Sequence, residues 1–169
     1  MAGSGPAPHI EPLGVHHDRA GFACGKDALD RYFHRQVTQD ARRHLAAPFV
    51  MVMPDGAIGG FYTLSGTALR LHDLPDDIAR RLPRYPLVPA TLIGRLAVDR
   101  RYHGQGWGGF LLLDALRRCV TSEIASFAVI VDAIDDEARA FYLHAGFLPL
   151  SDSPYRLFRR ASDIAGLFR

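Results

Sequence analysis

Residues 91–118 read TLIGRLAVDRRYHGQGWGGFLLLDALRR. The run from Thr91 to Val98 has the length and composition of a buried strand. It passes into a loop with glycines at 104, 106, 108 and 109, and the loop opens into a helix expected over 109–120. Closely spaced glycines let backbone N–H groups converge on an anion without obstruction by Cβ atoms. The helix N-terminus adds its dipole and its orphan donors. A phosphate or pyrophosphate suits this stretch. Rossmann and P-loop proteins also use glycine-rich loops. The Gly-Lys-Ser/Thr ending of a P-loop is missing here, however, and the glycines follow the fourth or fifth expected strand instead of the first.

Upstream, His9 to Leu13 is a candidate first strand. Asp27 is a helix N-cap candidate, with Leu29, Phe33, Val37 and Ala41 following at i+4 spacing through about Leu45. Phe49 to Met53 and Ile58 to Leu64 are expected strands, joined by the turn residues Pro54-Asp55-Gly56. Residues 70–90 form a connection with a short helix near Asp76 to Leu82, closed by prolines at 83, 86 and 89. Downstream, Phe127 to Ala133 is a second buried strand, and Asp135 caps a helix that ends at Gly146. Phe147 to Leu150 and Tyr155 to Arg160 are closing strands. Strands and helices mixed in this order, with an early hairpin, indicate an α/β or α+β sheet with helices on both faces.

The chain has 169 residues, 48% hydrophobic and 22% charged, which fits one soluble domain with a substantial core. Residues 1–8 are expected to be a disordered leader and residues 9–169 a single domain. No apolar run approaches the roughly 20 residues of a bilayer span, so no membrane partner is expected. Cys24 and Cys119 have neither disulfide-framework nor metal-ligand spacing, and a cytoplasmic location follows by default. His16, His17 and His103 show no ligand pattern either, and no metal is expected. The net charge of +2 is small, but its distribution is uneven. Arg31, Arg35, Arg42 and Arg43 face only Asp40 within 31–44, and Arg80, Arg81, Arg84, Arg95, Arg100 and Arg101 face only Asp99 within 80–101. Two arginine clusters on a nearly neutral chain suggest a local anionic partner.

Arg101-x-x-Gly104-x-Gly106 after an apolar strand resembles the acetyl-CoA signature of the GNAT acetyltransferase superfamily. VIVDA (129–133) and EARAFYLHAGF (137–147) resemble that superfamily's later strand and helix. The resemblance implies a mixed, mostly antiparallel central sheet splayed at the cofactor strand. It further implies that Leu96, Ala97 and Val98 offer backbone groups to the pantetheine arm of acetyl-CoA, with the Val98 N–H at the thioester oxygen. Arg101, His103, Gly104, Gln105, Gly106, Gly108 and Gly109 would hold the pyrophosphate. Tyr142 would protonate the departing thiolate, since a phenol of pKa about 10 stays protonated at neutral pH. There are departures from the pattern. Trp107 stands where a smaller aliphatic residue is usual, and Asp135 stands where many relatives have an Asn contacting the pantetheine arm. An ionised carboxylate cannot donate that hydrogen bond.

More narrowly, GFACGKDALDRYF (21–33), GGFYTLS (59–65) and PLVPATLIGRLAVD (86–99) resemble the acetyltransferase toxins of bacterial toxin–antitoxin pairs. Those toxins acetylate the amino group of aminoacyl-tRNA and bind an antitoxin as homodimers. The implied partners are an aminoacyl-tRNA, held by Arg42, Arg43, Arg84 and Arg95, a ribbon-helix-helix antitoxin, and a second copy of the chain. Two other readings stay open: an acetyltransferase for a small amine or protein amino group, and a non-catalytic partner in an antitoxin–DNA repressor complex. The tail LFRRASDIAGLFR (157–169) is expected to form a short helix with Ile164, Leu167 and Phe168 on one side.

Overall fold

The computed structural model describes residues 6–151 and 153–169. Of the expected leader, residues 1–5 lie outside this range, and 6–8 run without regular structure into the first strand. The elements in chain order are β1 (His9–Pro12), α1 (Asp27–Arg35), α2 (Val37–Arg42), β2 (Ala47–Val52), β3 (Ile58–Leu69), α3 (Asp76–Ala79), β4 (Val88–Val98), α4 (Trp107–Thr121), β5 (Ala128–Asp132), α5 (Asp136–His144), β6 (Leu148–Leu150), β7 (Ser153–Arg160) and α6 (Ala161–Ala165). The sheet is seven-stranded with the order β1-β2-β3-β4-β5-β7-β6. It is mostly antiparallel, as expected. β4 and β5 pair in parallel, with a register that joins Ala90–Ile93 to Ala128–Val131 and ends there, while β4 continues to Val98.

The chain divides into two compact units. The first comprises residues up to Leu64 together with Gly94–Asp114, and the second Ser65–Ile93 with Ala115–Arg169. In the first unit β1, β2 and β3 form an antiparallel meander, and the Met53–Ala57 turn closes with Gly56 at φ +86°. The core of this unit is aromatic. Phe61 stacks on Phe33 at 4.2 Å between ring centroids, and Phe22 meets both rings edge-on at 4.9 and 5.5 Å. Each buried ring contributes about 1.5–3 kcal/mol of transfer free energy, and paired rings add about 0.5–1.5 kcal/mol.

The helix expected from Asp27 to Leu45 is two helices. At Gln36 φ widens to −114° with ψ at −32°, still in the right-handed region, and its N–H reaches the Tyr32 carbonyl at 2.8 Å. The N-cap position is Lys26 instead of Asp27, and the nearby carboxylate that binds backbone is Asp30, which accepts from Cys24 N–H at 2.7 Å. His44 ends α2 in the left-handed region (φ +57°), where the Leu45 N–H returns to the Asp40 carbonyl at 2.9 Å. That bond satisfies an otherwise orphaned helix carbonyl.

In the second unit Leu69, Leu74, Ile78, Val88, Ala128, Ile130, Leu150 and Phe158 form the core. β5 and β6 both pair antiparallel with β7. Asp135 caps α5 as expected, its carboxylate accepting the Ala138 N–H at 2.8 Å, and Gly146 follows the helix at φ +91°. The tail departs from the single apolar face. Ile164 on α6 is buried, whereas Leu167 and Phe168 lie in a terminal 3-10 turn and are exposed.

Candidate functional site

Asp99, immediately after β4, organises the loop that follows. Its carboxylate is 2% exposed and accepts the Ala23 N–H at 3.1 Å and the Arg101 N–H at 2.9 Å. The same carboxylate takes Nε and Nη2 of Arg101 at 2.9 and 3.3 Å. Burial alone would raise this carboxyl's pKa. The Arg101 guanidinium and then the two backbone donors outweigh burial and hold it below the usual carboxylate range. Arg101, expected among the phosphate-binding residues, therefore also braces the turn through its side chain.

The ring of His103 reaches back to β4, with Nε2 2.7 Å from the Val98 carbonyl oxygen. A carbonyl can only accept, so Nε2 carries the proton. Gly104 and Gly106 follow at φ +75° and +84°. L-residues rarely adopt these conformations. A Cβ built on Gly104, Gly106 or Gly109 would meet no atom within 4 Å, so the space over this run of backbone is open. α4 begins at Trp107, two residues before the expected start, and its first helical bond runs from the Phe110 N–H to the Gly106 carbonyl at 3.2 Å. The N–H groups of Trp107, Gly108 and Gly109 precede any intrahelical acceptor. Open space, left-handed glycines and orphan donors together make a cradle for an oxyanion, and its chemistry fits a pyrophosphate. Trp107 packs edge-on against Phe110 at 5.5 Å and donates to Gln105 Oε1 at 3.4 Å.

Tyr142 lies on α5 in the second unit and is 6% exposed. Phe141 and Phe147 meet its ring edge-on at 5.1 and 5.5 Å. Burial alone pushes its phenol well above the ordinary range. Of the arginines expected at the substrate, Arg42 and Arg43 are exposed at the end of α2 and Arg95 lies on β4, all in the first unit. Arg84 is exposed on the connection before β4, in the second unit. Sequence reasoning missed Asp99 as an organising residue. Its position directly between a strand and a turn is an N-cap signal that reveals it.

Near β1, His17 Nε2 lies 2.6 Å and His16 Nε2 3.6 Å from Glu11 Oε1. His17 Nδ1 accepts the Gly14 N–H at 2.9 Å, so the proton of neutral His17 sits on Nε2 and is donated to Glu11. With that proton in place, Nε2 offers a metal no lone pair. Burial pushes the thiols of Cys24 and Cys119 up to about 11, which leaves both unreactive near neutral pH.

The acetyltransferase (GNAT) domain family matches residues 89–156, the span that holds the glycine loop and Tyr142. The probable toxin TacT of Sinorhizobium fredii (strain NBRC 101917 / NGR234) is 34% identical over 99% of this chain and 99% of its own length. The chain belongs to the GNAT acetyltransferase family. A tRNA-acetylating toxin of Mycobacterium tuberculosis (strain ATCC 25618 / H37Rv) is 36% identical to this acetyltransferase over 89% of the chain and 90% of the relative. Among solved structures, AtaT complexed with acetyl-methionyl-tRNAfMet superposes on this GNAT chain with a TM-score of 0.87 at 28% identity, covering 96% and 99% of the two chains. A tyrosine-to-phenylalanine variant of AtaT, bound to acetyl-CoA and the C-terminus of the antitoxin AtaR, gives 0.81 at 25% identity over 96% and 99%. No helix among the described residues of this chain is long and apolar enough to cross a membrane.

Proposed function

We propose that this acetyltransferase moves the acetyl group of acetyl-CoA to the α-amino group of an aminoacyl-tRNA, blocking translation, and that its two units act as one domain. The observation that carries the reading is the cradle over Gly104–Gly109, directly downstream of β4. Acetyl-CoA supplies the thioester that the amine attacks. The N–H groups of His103–Gly109 bind the pyrophosphate, while Asp99 and Arg101 keep the turn in shape. Leu96, Ala97 and Val98 offer strand backbone to the pantetheine arm, and the Val98 N–H stabilises the charge that develops on the thioester oxygen. Tyr142 gives its proton to the leaving thiolate. Burial keeps that phenol protonated at neutral pH. An α-amino group has a pKa of about 8, so it loses its proton to water without an assigned base.

Arg42, Arg43, Arg84 and Arg95 hold the acceptor stem in this reading. The chain works in the cytoplasm as a homodimer, silenced by a ribbon-helix-helix antitoxin. Supporting this are the relatives named as toxins and a neighbour solved with its antitoxin's C-terminus. The test incubates pure protein with labelled acetyl-CoA and total charged tRNA, then sequences the label's position. Label on the amino group of an aminoacyl ester is expected. If free amines or protein amino groups accept acetyl as well as charged tRNA does, the small-amine reading replaces it.

A further inference from the structure

The guanidinium carbon of Arg95 lies 3.7 Å from the ring centroid of Tyr32. A guanidinium resting on a ring face keeps its N–H edge pointing away from the ring, free for a planar, two-point acceptor. The platform under it is fixed. Tyr32 is buried among Phe22, Phe33 and Phe61, and its hydroxyl donates to Asp40 Oδ2 at 2.9 Å. Burial first, then Asp40, pushes the Tyr32 phenol up to about 12, so the platform stays neutral. The backbone of Arg95 is fixed as well, its N–H donating to Oγ1 of the buried Thr63 at 3.2 Å.

The guanidinium itself is unpaired: among the described residues it has neither a hydrogen bond nor an ion pair. Asp40, the carboxylate beside its platform, is occupied by the Tyr32 hydroxyl and by the Gln36 amide at 3.1 Å. The same helix pair, α1 and α2, carries the exposed Arg42 and Arg43 beyond Asp40. A rigidly seated arginine whose guanidinium donors are open is built for an anion from outside the chain.

We propose that the Arg95 guanidinium, seated on the Tyr32 ring, receives one phosphodiester of the acceptor strand near its reacting end. The proposal rests on the aminoacyl-tRNA reading above. Three residues of strand, about 10 Å, separate Arg95 from Val98, so the phosphate it takes belongs to the acceptor end and not to a remote part of the duplex. Coenzyme A also carries phosphates, and the test separates the two sources.

Steady-state acetylation of total charged tRNA is measured for wild type, Arg95→Lys, Tyr32→Leu and the double variant, with acetyl-CoA affinity measured separately by calorimetry. Lysine keeps the charge but loses the stacked fork. Arg95→Lys is expected to raise the KM for charged tRNA about tenfold, with kcat and acetyl-CoA affinity within twofold of wild type. The salt slope should change by less than about 0.7, the value of one whole single-strand phosphate contact, because the charge is kept. Tyr32→Leu should raise KM similarly, and the double variant should add little, because both remove one device. If Tyr32→Leu does not fold, Arg95→Lys decides. An unchanged KM for charged tRNA in Arg95→Lys overturns the proposal, as does a loss that falls on acetyl-CoA affinity instead. Wild-type protein that binds acetyl-CoA but does not acetylate charged tRNA overturns the underlying reading, and the proposal with it.

Discussion

Nε2 of His103 donates to the carbonyl oxygen of Val98 across 2.7 Å, tying the end of β4 to the residue that precedes the first loop glycine. The bond holds the Val98 carbonyl toward the loop and so sets the peptide plane between Val98 and Asp99. His103→Ala removes it. A neutral hydrogen bond contributes about 0.5–1.5 kcal/mol net, so acetyl-CoA should bind roughly 2–10-fold more weakly by calorimetry. His103→Gln, whose amide N–H can reach the same carbonyl, should recover part of that affinity. Equal affinity in all three proteins would make the imidazole a bystander.

Gly106 holds φ +84° at the point where the loop enters α4. A β-branched residue there costs at least about 1–2 kcal/mol in backbone strain, and its side chain would fill the open space above the donors. Gly106→Val should abolish acetyl-CoA binding while circular dichroism still reports a folded chain. Retained micromolar affinity would remove the pyrophosphate from this loop.

Tyr142→Phe should leave acetyl-CoA affinity nearly unchanged and lower turnover by about 10²–10⁴-fold, the usual range for general acid assistance. Because burial raises the phenol's pKa, the wild-type rate should show no alkaline limb from Tyr142 below about pH 10. Wild-type rates in the variant would reduce Tyr142 to a packing residue between Phe141 and Phe147.

Asp99 supplies a pH signature. A carboxyl whose pKa is lower folded than unfolded binds its proton less readily in the native state. Its contribution to stability is therefore full above the unfolded value of about 3.9 and is lost as pH falls through the lower folded value. Asp99→Asn keeps the shape and removes the charge, at a cost of about 1–3 kcal/mol. For a chain of this length that lowers Tm by about 2–4 °C per kcal/mol. The two proteins should melt apart at pH 7, and the gap should close as pH falls below the unfolded value and through the lower folded one. A gap that persists at low pH would mean that the charge of Asp99 is not what stabilises the turn.

Local chemistry was readable in the sequence wherever it also decided the structure. β4 and the glycine loop were legible because a buried strand must be apolar and a left-handed turn favours glycine. The Asp135 cap and Gly146 stop were legible because each satisfies orphan groups of its own helix. The break at Gln36 was hidden, since Leu29, Phe33, Val37 and Ala41 keep one period through it and periodicity is blind to a single altered φ. β3 was expected to end at Leu64 but runs five residues further, through Ser65, Gly66 and Thr67, whose composition resembles a turn. The seating of Arg95 on Tyr32 joins positions 63 residues apart, and no local pattern announces it.

Asp99 binds the backbone of Ala23 as well as Arg101, and the Arg100 N–H returns to the Ala23 carbonyl at 2.9 Å. One carboxylate thus secures both the mouth of the loop and a strand-less segment 76 positions earlier in the chain. A ligand that rigidifies the loop must then slow the opening of that distant segment by the same free energy with which the segment's closure favours the ligand. Deuterium uptake at the amides of Ala23 and Arg101 should fall together when acetyl-CoA is added. The first aromatic of the core, Phe22, sits next to Ala23, so cofactor occupancy would register in the exchange rates of the N-terminal packing.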